Sequence, residues 1–154
     1  MRSPAGPWIA SSYFKSPRAD AVDAEGFFDT GDIATIDPDG YLQITDRAKD
    51  LIKSGGEWIS SLALEAAALS HPAIAEAAAI GIAHPKWQER PLLIVVIKVG
   101  QRFDRSEILE YLASRFPKWW VPDDVLCVEQ MPRGATGKLL KSTLRERFGD
   151  HRPV

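Results

Sequence analysis

The stretch that decides the fold runs from Asp29 to Ser60 and reads DTGDIATIDPDGYLQITDRAKDLIKSGGEWIS. Its residues 37–40, DPDG, have the chemistry of a β-turn, because proline presets φ, aspartate bonds its own backbone and glycine suits the exit. The runs on either side, 33–36 and 41–45, are short and rich in β-branched or aromatic residues. Together they predict a β-hairpin.

Two features follow this hairpin in the same stretch. The charged cluster 46–50, DRAKD, interrupts the apolar pattern, and such a dense cluster is not expected to be buried. It predicts a surface joint or a site. The segment 54–58, SGGEW, predicts a second tight turn, whose glycines tolerate positive φ and let a thin ligand approach the backbone.

The remaining chain alternates helices and strands. Helices are predicted over 62–69, 105–116 and 138–148, and strands over 75–82, 92–99 and 125–129. Ser60 and Ser61 can cap the first helix, in which Leu62, Ala66 and Leu69 share a face. The pattern predicts a small α+β domain over about 47–148, with a three-stranded sheet packed by helices and closed by a β-hairpin.

Composition narrows the class of protein. The 154 residues are 45% hydrophobic and 26% charged, which is ordinary for a soluble globular chain of one domain, or of one small domain and part of another. A net charge of −2 gives no general attraction to nucleic acid. The single cysteine, Cys127, favours a reducing cytoplasm, and neither a secretory signal nor an apolar run long enough to cross a membrane is present.

Three motifs in order resemble the C-terminal signature region of the adenylate-forming, AMP-binding acyl-activating superfamily. They are TGD at 30–32, DRAKDLIKSGGEWIS at 46–60 and MPRGATGKL at 131–139. KSGGEWISS and the later HPKWQERPLLIVV are most similar to medium- and long-chain fatty acyl-CoA synthetases. The resemblance implies that 47–154 is the mobile C-terminal domain, and that 1–46 is a remnant of the β-subdomain of a large adenylation domain.

An aromatic cluster near the start of the chain carries two interpretations. Trp8, Tyr13, Phe14, Phe27 and Phe28 need an apolar surface. They pack either on the hairpin 31–45 or on the large domain that the resemblance implies.

The resemblance assigns the nucleotide to the first motifs. Asp32 corresponds to the ribose-binding aspartate, and a carboxylate can accept from both sugar hydroxyls. Arg47 is the expected nucleotide contact that bridges the two domains, the alternative being a surface ion pair with Asp46 or Asp50. Lys49 corresponds to the hinge about which the small domain turns between half-reactions.

The resemblance gives the other two motifs to catalysis and to coenzyme A. Lys138 corresponds to the lysine that enters the active site for adenylation, with Gly134 and Gly137 letting its loop extend inward; the alternative is an exposed loop lysine. The glycine turn is expected to line the pantetheine tunnel. Its residues are Ser54, Gly55, Gly56, Glu57 and Trp58.

Other polar and aromatic residues leave alternatives open. Lys118-Trp119-Trp120 is either an exposed recognition patch or a packed core edge. Lys141, Arg145 and Arg147 form either a solvated helix face or a contact for the 3′-phosphate of coenzyme A. The histidines at 71, 84 and 151 have no metal-ligand spacing, so no metal site is predicted among them.

The implied cofactors are ATP, converted to AMP, with Mg²⁺ and coenzyme A, and the implied acyl substrate is a fatty acid. A triphosphate-binding loop and a magnesium-coordinating glutamate motif are not found within these residues. We therefore expect the chain by itself to be inactive in fatty acid activation, and its partner to be a large adenylation domain or a second copy. The other two hypotheses are a silent nucleotide- or coenzyme-A-binding module and a protein-interaction domain.

Overall fold

The computed structural model describes residues 5–9 and 22–153. The chain forms two compact units, Met1–Lys49 and Asp50–Val154. The division falls after Lys49, so strand β2 (Leu42–Arg47) and the start of the turn behind it belong to the first unit. The predicted assignment of 1–46 and 47–154 to two domains of a larger enzyme stays a prediction.

The first unit contains the predicted hairpin. Strands β1 (Asp32–Ile36) and β2 pair antiparallel. In the turn, the Asp37 carboxylate accepts from the amides of Asp39 at 3.0 Å and Tyr41 at 2.8 Å, so the DPDG prediction is confirmed. Tyr13 and Phe14 lie outside the described residues, and Trp8 is 79% exposed rather than packed on the hairpin.

The prediction that the charged cluster is unburied is wrong for Asp46. This residue continues β2 and is 1% exposed. Its carboxylate accepts from the backbone amide of Arg47 at 2.7 Å, which supplies part of the hydrogen bonding that a buried carboxylate requires.

The second unit is a mixed sheet with helices on both faces. Its described elements are β3 (Ile52–Ser54), β4 (Glu57–Ile59), α1 (Ser61–Leu69), β5 (Ile74–His84), β6 (Gln88–Ile97), α2 (Arg105–Ala113), β7 (Asp124–Cys127) and α3 (Lys141–Phe148). Strand β6 pairs antiparallel with β5 and parallel with β7 after a crossover through α2. The β3–β4 hairpin joins the beginning of β6 where Ser54 pairs with Gln88. The predicted α+β fold is confirmed.

The central strand is buried on both sides, which explains its unbroken apolar run. Leu93 and Val95 belong to the core beneath α1 and α2, and Leu92 and Ile94 belong to the core beneath α3. Successive side chains point to opposite faces of a strand, so the run LLIVV supplies both cores at once.

Two predicted helices begin or end elsewhere. Helix α2 ends at Ala113 rather than 116, because the Arg115 amide donates to the Leu112 carbonyl at 3.0 Å, an i−3 bond that replaces the helical i−4 bond. Helix α3 begins at Lys141 rather than 138. The Leu140 amide donates to the carbonyl of Pro132 at 2.9 Å, which holds the chain before α3 in a loop.

The predicted apolar face of α1 is not its buried face. Leu62 and Leu69 are 43% and 48% exposed, whereas Leu64 and Ala68 are fully buried. The sequence SLALEAAAL is apolar nearly all round, so its pattern could not select the side that meets the sheet. The predicted Ser60 cap is confirmed, because its Oγ accepts from the Ala63 amide at 3.2 Å.

Among residues 5–9 and 22–153, no helix has the length and apolar character needed to cross a membrane. The same described residues contain no group of three or more His, Cys, Asp or Glu side chains arranged to hold a metal ion.

Candidate functional site

Lys138 lies on a closed loop between β7 and α3. Residues Arg133 and Leu139 form an antiparallel bridge at its base. Inside it, the Gly134 amide donates to the Lys138 carbonyl and the Gly137 amide donates to the Gly134 carbonyl, both at 2.9 Å. The Lys138 side chain is exposed. The loop therefore presents one ammonium group on a backbone that is tied at both ends.

Of the two loop glycines, only Gly137 adopts a backbone conformation that favours glycine. Gly137 has φ +77°, in the left-handed region where other residues are strained. Gly134 does not, and a Cβ there would meet Leu140 at 3.5 Å, an ordinary contact. The role of the two glycines in letting the loop extend inward stays a prediction, and the backbone conformation favours glycine at Gly137.

A cavity of about 480 Å³ opens beside the other glycine turn. It is lined by Ser54, Gly55, Glu57, Trp87, Arg90, Lys118, Trp119 and Asp123. The structure thus gathers three of the predicted coenzyme-A residues with side chains from two further segments. Gly56 and Trp58 are absent from this lining, and Trp58 lies 53% exposed with Lys53 Nζ 5.2 Å from its ring centroid.

The glycine turn and Trp87 fit against each other. Gly55 has φ +60° and Gly56 has φ +87°, as a tight two-residue hairpin turn requires. The Gly55 amide donates to the Trp87 carbonyl at 2.8 Å. A Cβ on Gly55 would stand 2.8 Å from the Trp87 indole, so a side chain there would displace the ring.

The Arg90 side chain joins the segments that line the cavity. It is 8% exposed and projects from β6. Its Nη1 donates to the Trp119 carbonyl at 2.6 Å and to Ser54 Oγ at 3.2 Å, and its Nη2 donates to the Val121 carbonyl at 2.9 Å. Nε lies 2.8 Å from the Asp123 carboxylate. The guanidinium is therefore engaged on all sides by protein acceptors, and Lys118 is the more exposed cation of the lining.

Sequence reasoning missed Trp87 and Arg90 and left Lys118-Trp119-Trp120 undecided. The structure divides this segment: Trp119 is 41% exposed and lines the cavity, whereas Trp120 packs on the core and stacks on Phe116 at 5.3 Å between centroids. The core-edge interpretation is confirmed for Trp120, and a recognition role for Trp119 stays a prediction. A tryptophan in the loop HPKWQER was the signal that could have found Trp87.

The two predicted nucleotide ligands are brought together in the first unit. Asp32 and Arg47 occupy paired positions on β1 and β2, and Arg47 Nε lies 3.3 Å from Asp32 Oδ1. Asp50, one of the two alternative partners considered for Arg47, pairs with Arg145 at 2.6 Å. Lys49, the predicted hinge, is exposed and is the last residue of this unit.

The basic residues of α3 are not one solvated face. Lys141 Nζ lies 2.6 Å from Glu65 Oε1, with both side chains nearly buried, and Arg145 is the partner of Asp50. Arg147 is exposed, and its guanidinium lies 5.6 Å from the Phe148 ring.

Comparison with known proteins gives the class to which this domain belongs. Residues 63–138 match the family described as the AMP-binding enzyme C-terminal domain. A solved structure of o-succinylbenzoate CoA synthetase from Bacillus subtilis, in complex with the acyl-adenylate intermediate OSB-AMP, superposes with a TM-score of 0.82 at 35% identity, over 92% of this chain and 29% of that one. The fold therefore matches the small C-terminal domain of the adenylate-forming enzymes.

The relatives are acyl-CoA ligases. The 3-methylmercaptopropionyl-CoA ligase of Ruegeria pomeroyi is 52% identical over 94% of this chain and 27% of its own length. The medium-chain-fatty-acid–CoA ligase of Ectopseudomonas oleovorans is 48% identical over 94% of this chain and 26% of its own length. The chain thus spans about a quarter of the length of the curated relatives it matches. Both the acyl-CoA ligase resemblance and the predicted likeness to fatty acyl-CoA synthetases are confirmed.

Proposed function

We propose that this chain is the C-terminal part of an ATP-dependent, AMP-forming fatty acyl-CoA ligase. One observation carries the proposal. A single domain of the AMP-binding family presents an exposed lysine on a closed loop and, on a different segment, an aromatic cavity beside a two-glycine turn. The two half-reactions of such a ligase need these two kinds of group.

Lys138 serves the adenylation half-reaction in this proposal. A carboxylate oxygen of the fatty acid attacks the α-phosphorus of ATP, and the bond to pyrophosphate breaks. Negative charge builds between the carboxylate and the α-phosphate, and a positioned ammonium group offsets it. The triphosphate and Mg²⁺ are held by a large domain outside these residues, and Asp32 accepts from the ribose hydroxyls beside Arg47.

The cavity serves the thioester half-reaction. The sulfur of coenzyme A attacks the acyl carbonyl, the thiol proton leaves to solvent or a base, and AMP departs with the electrons of the acyl–phosphate bond. The indoles of Trp87 and Trp119 offer apolar planar faces to the adenine ring. Lys118 offers a cation to the phosphates, and the bare backbone of the 55–56 turn lets the pantetheine arm pass.

A second candidate is a coenzyme-A-binding module without catalysis. It is favoured by the location of the cavity, all of whose lining residues belong to the unit Asp50–Val154. Titration calorimetry of the 154-residue chain with coenzyme A, against a Lys138→Ala variant, addresses this candidate. Equal binding by both proteins, together with no adenylation in the assay below, would favour the module.

The test of the main proposal is a fusion in which this chain replaces the matching quarter of the Ectopseudomonas oleovorans ligase. ATP–pyrophosphate exchange with a medium-chain fatty acid reports adenylation, and conversion of supplied acyl-adenylate reports thioester formation. We expect Lys138→Ala to lower exchange by about 100-fold or more, and thioester formation far less. Undiminished exchange in Lys138→Ala would overturn the role of this lysine. Exchange by the chain alone would contradict its proposed inactivity.

A further inference from the structure

Arg133 makes two contacts that join the lysine loop to the sheet. Its Nη1 donates to the carbonyl oxygen of Gly137 at 2.8 Å. Its Nη2 lies 2.5 Å from Oε2 of Glu76, which projects from β5. One guanidinium therefore spans from a structural strand to the residue immediately before Lys138.

The contact with Gly137 bears directly on Lys138. The carbonyl of Gly137 and the amide nitrogen of Lys138 belong to one peptide unit, which is planar and stiff. Holding the carbonyl oxygen sets the plane of that unit, and the plane sets the position of the Lys138 Cα. Because Gly137 has φ +77° and no side chain, its own conformation restrains this plane only weakly.

The contact with Glu76 ties the Arg133 guanidinium to strand β5. Strand β5 pairs with β6 along most of its length, and Glu76 itself is paired with Val96 just after a register shift in the strand. The backbone bonds within the loop tie loop residues to one another, with the Leu140–Pro132 bond at its base. The Arg133–Glu76 ion pair joins the loop to β5 through side-chain charges, whereas Leu139 at the base of the loop packs on the core that includes Ile80.

We propose that Arg133, anchored by Glu76, is a positioning residue that orients the peptide unit carrying Lys138 and so prepares the lysine for adenylation. The inference rests on the proposed function. It goes further in assigning the arginine of PRGATGK to catalysis through another residue, although Arg133 touches no reacting group.

The exposure of the pair separates this role from simple stabilisation. The side chains of Arg133 and Glu76 are 50% and 34% exposed, and ion pairs so open to water add little to folding. A misplacement of a catalytic group by about 1 Å costs roughly 100-fold in rate. Loss of the pair should therefore affect the half-reaction that uses Lys138 much more than it affects stability.

The half-reactions of the fusion provide the first test. Arg133→Ala should lower exchange about tenfold or more, with thioester formation within about twofold of the parent. Glu76→Ala should have a smaller effect, because the contact with Gly137 remains. Arg133→Lys should recover part of the loss, since one ammonium can reach one of the two acceptors. Arg102→Ala, at an exposed arginine outside the loop, is the matched control.

Lys138→Ala in the same assay separates the two proposals. Loss of exchange in Lys138→Ala with normal exchange in Arg133→Ala overturns the positioning role and leaves the proposed function standing. Normal exchange in Lys138→Ala overturns the proposed function. Equal losses in both half-reactions of Arg133→Ala would mean a structural role only, which also overturns the inference.

Amide hydrogen exchange in the 154-residue chain gives a second measurement that needs no activity. We expect Arg133→Ala to speed the exchange of the Gly134 and Gly137 amides about threefold or more, and to leave the amides of β6 unchanged. Arg102→Ala should change neither. If the fusion is inactive, this measurement decides: unaltered exchange at both glycines overturns the positioning role.

Discussion

The Nη1 atom of Arg90 lies 2.6 Å from the carbonyl oxygen of Trp119, so a buried arginine on the central strand holds the backbone of a residue that lines the candidate coenzyme-A cavity. The same guanidinium reaches the glycine hairpin through Ser54. Three segments that form the cavity are therefore held by one side chain.

Replacing Arg90 by lysine should damage both the cavity and the fold. A single ammonium cannot reach the Ser54 hydroxyl, the Trp119 carbonyl and the Asp123 carboxylate together, so buried acceptors lose their donor. We expect the free energy of unfolding to fall by about 2–3 kcal/mol and coenzyme A binding to weaken about tenfold. Urea unfolding and calorimetry measure the two effects, with Arg102→Lys as control. Lower stability with unchanged coenzyme A affinity would contradict the role of Arg90 in placing Trp119.

Alanine substitutions at Gly55 and Gly56 should separate the effect of backbone strain from the effect of a clash with the Trp87 ring. Both Gly55 and Gly56 have positive φ, so each substitution should cost about 1 kcal/mol of folding free energy. Only at Gly55 does the new Cβ meet the Trp87 ring, whereas nothing lies within 4 Å of it at Gly56. Coenzyme A affinity should fall in Gly55→Ala and stay near that of the parent in Gly56→Ala. Equal affinities would show that the position of Trp87 does not matter for binding.

The pair of Lys141 and Glu65 should be needed for folding. Their side chains are 13% and 12% exposed, and Glu65 also accepts from the Ala79 amide at 2.8 Å. Lys141→Met leaves a carboxylate nearly buried without this cation, so we expect a loss of about 3 kcal/mol. Lys98→Met, at an exposed lysine, should lose less than about 0.5 kcal/mol. Thermal and urea unfolding measure both, and similar losses in the two variants would refute the argument.

Asp124 should be important for folding stability and for holding the residues that follow α3. Its side chain is 5% exposed and lies 2.8 Å from Arg105 Nε and 2.7 Å from His151 Nε2. Asp124→Asn removes the charge that both partners approach, so we expect a loss of about 3 kcal/mol and faster proteolysis after His151. Asp150→Asn alters the exposed neighbour of His151 and is the control. Unchanged proteolysis in Asp124→Asn would mean that the tail is held by other contacts.

Some elements were predictable because their signals are local. The DPDG turn and the Ser60 cap each depend on a side chain that bonds backbone within four residues, and each is present. The limits of α2 and α3 were less accurate. An i−3 bond between Arg115 and Leu112 ends α2 early, and a bond between residues 132 and 140 keeps the chain before α3 in a loop.

The cavity was only partly predictable, because the contacts that form it join residues that are distant in the sequence. Its glycine turn is a local pattern, but Arg90 reaches Ser54 across 36 positions and Trp119 across 29. The burial of Asp46 and the choice of the buried face of α1 depend in the same way on what packs against them. A pattern of residue types carries no information on such partners.

The sequence by itself determined the order of helices and strands, the two tight turns and the lysine motif, because backbone preferences and capping bonds act over a few residues. Only the tertiary structure decided that Trp119 lines a cavity while Trp120 enters the core, that Lys141 is nearly buried beside Glu65, and that Arg133 ties the lysine loop to Glu76. Those outcomes depend on which distant segments meet in the folded chain, since burial and ion pairing are properties of the surroundings of a residue and not of the residue alone.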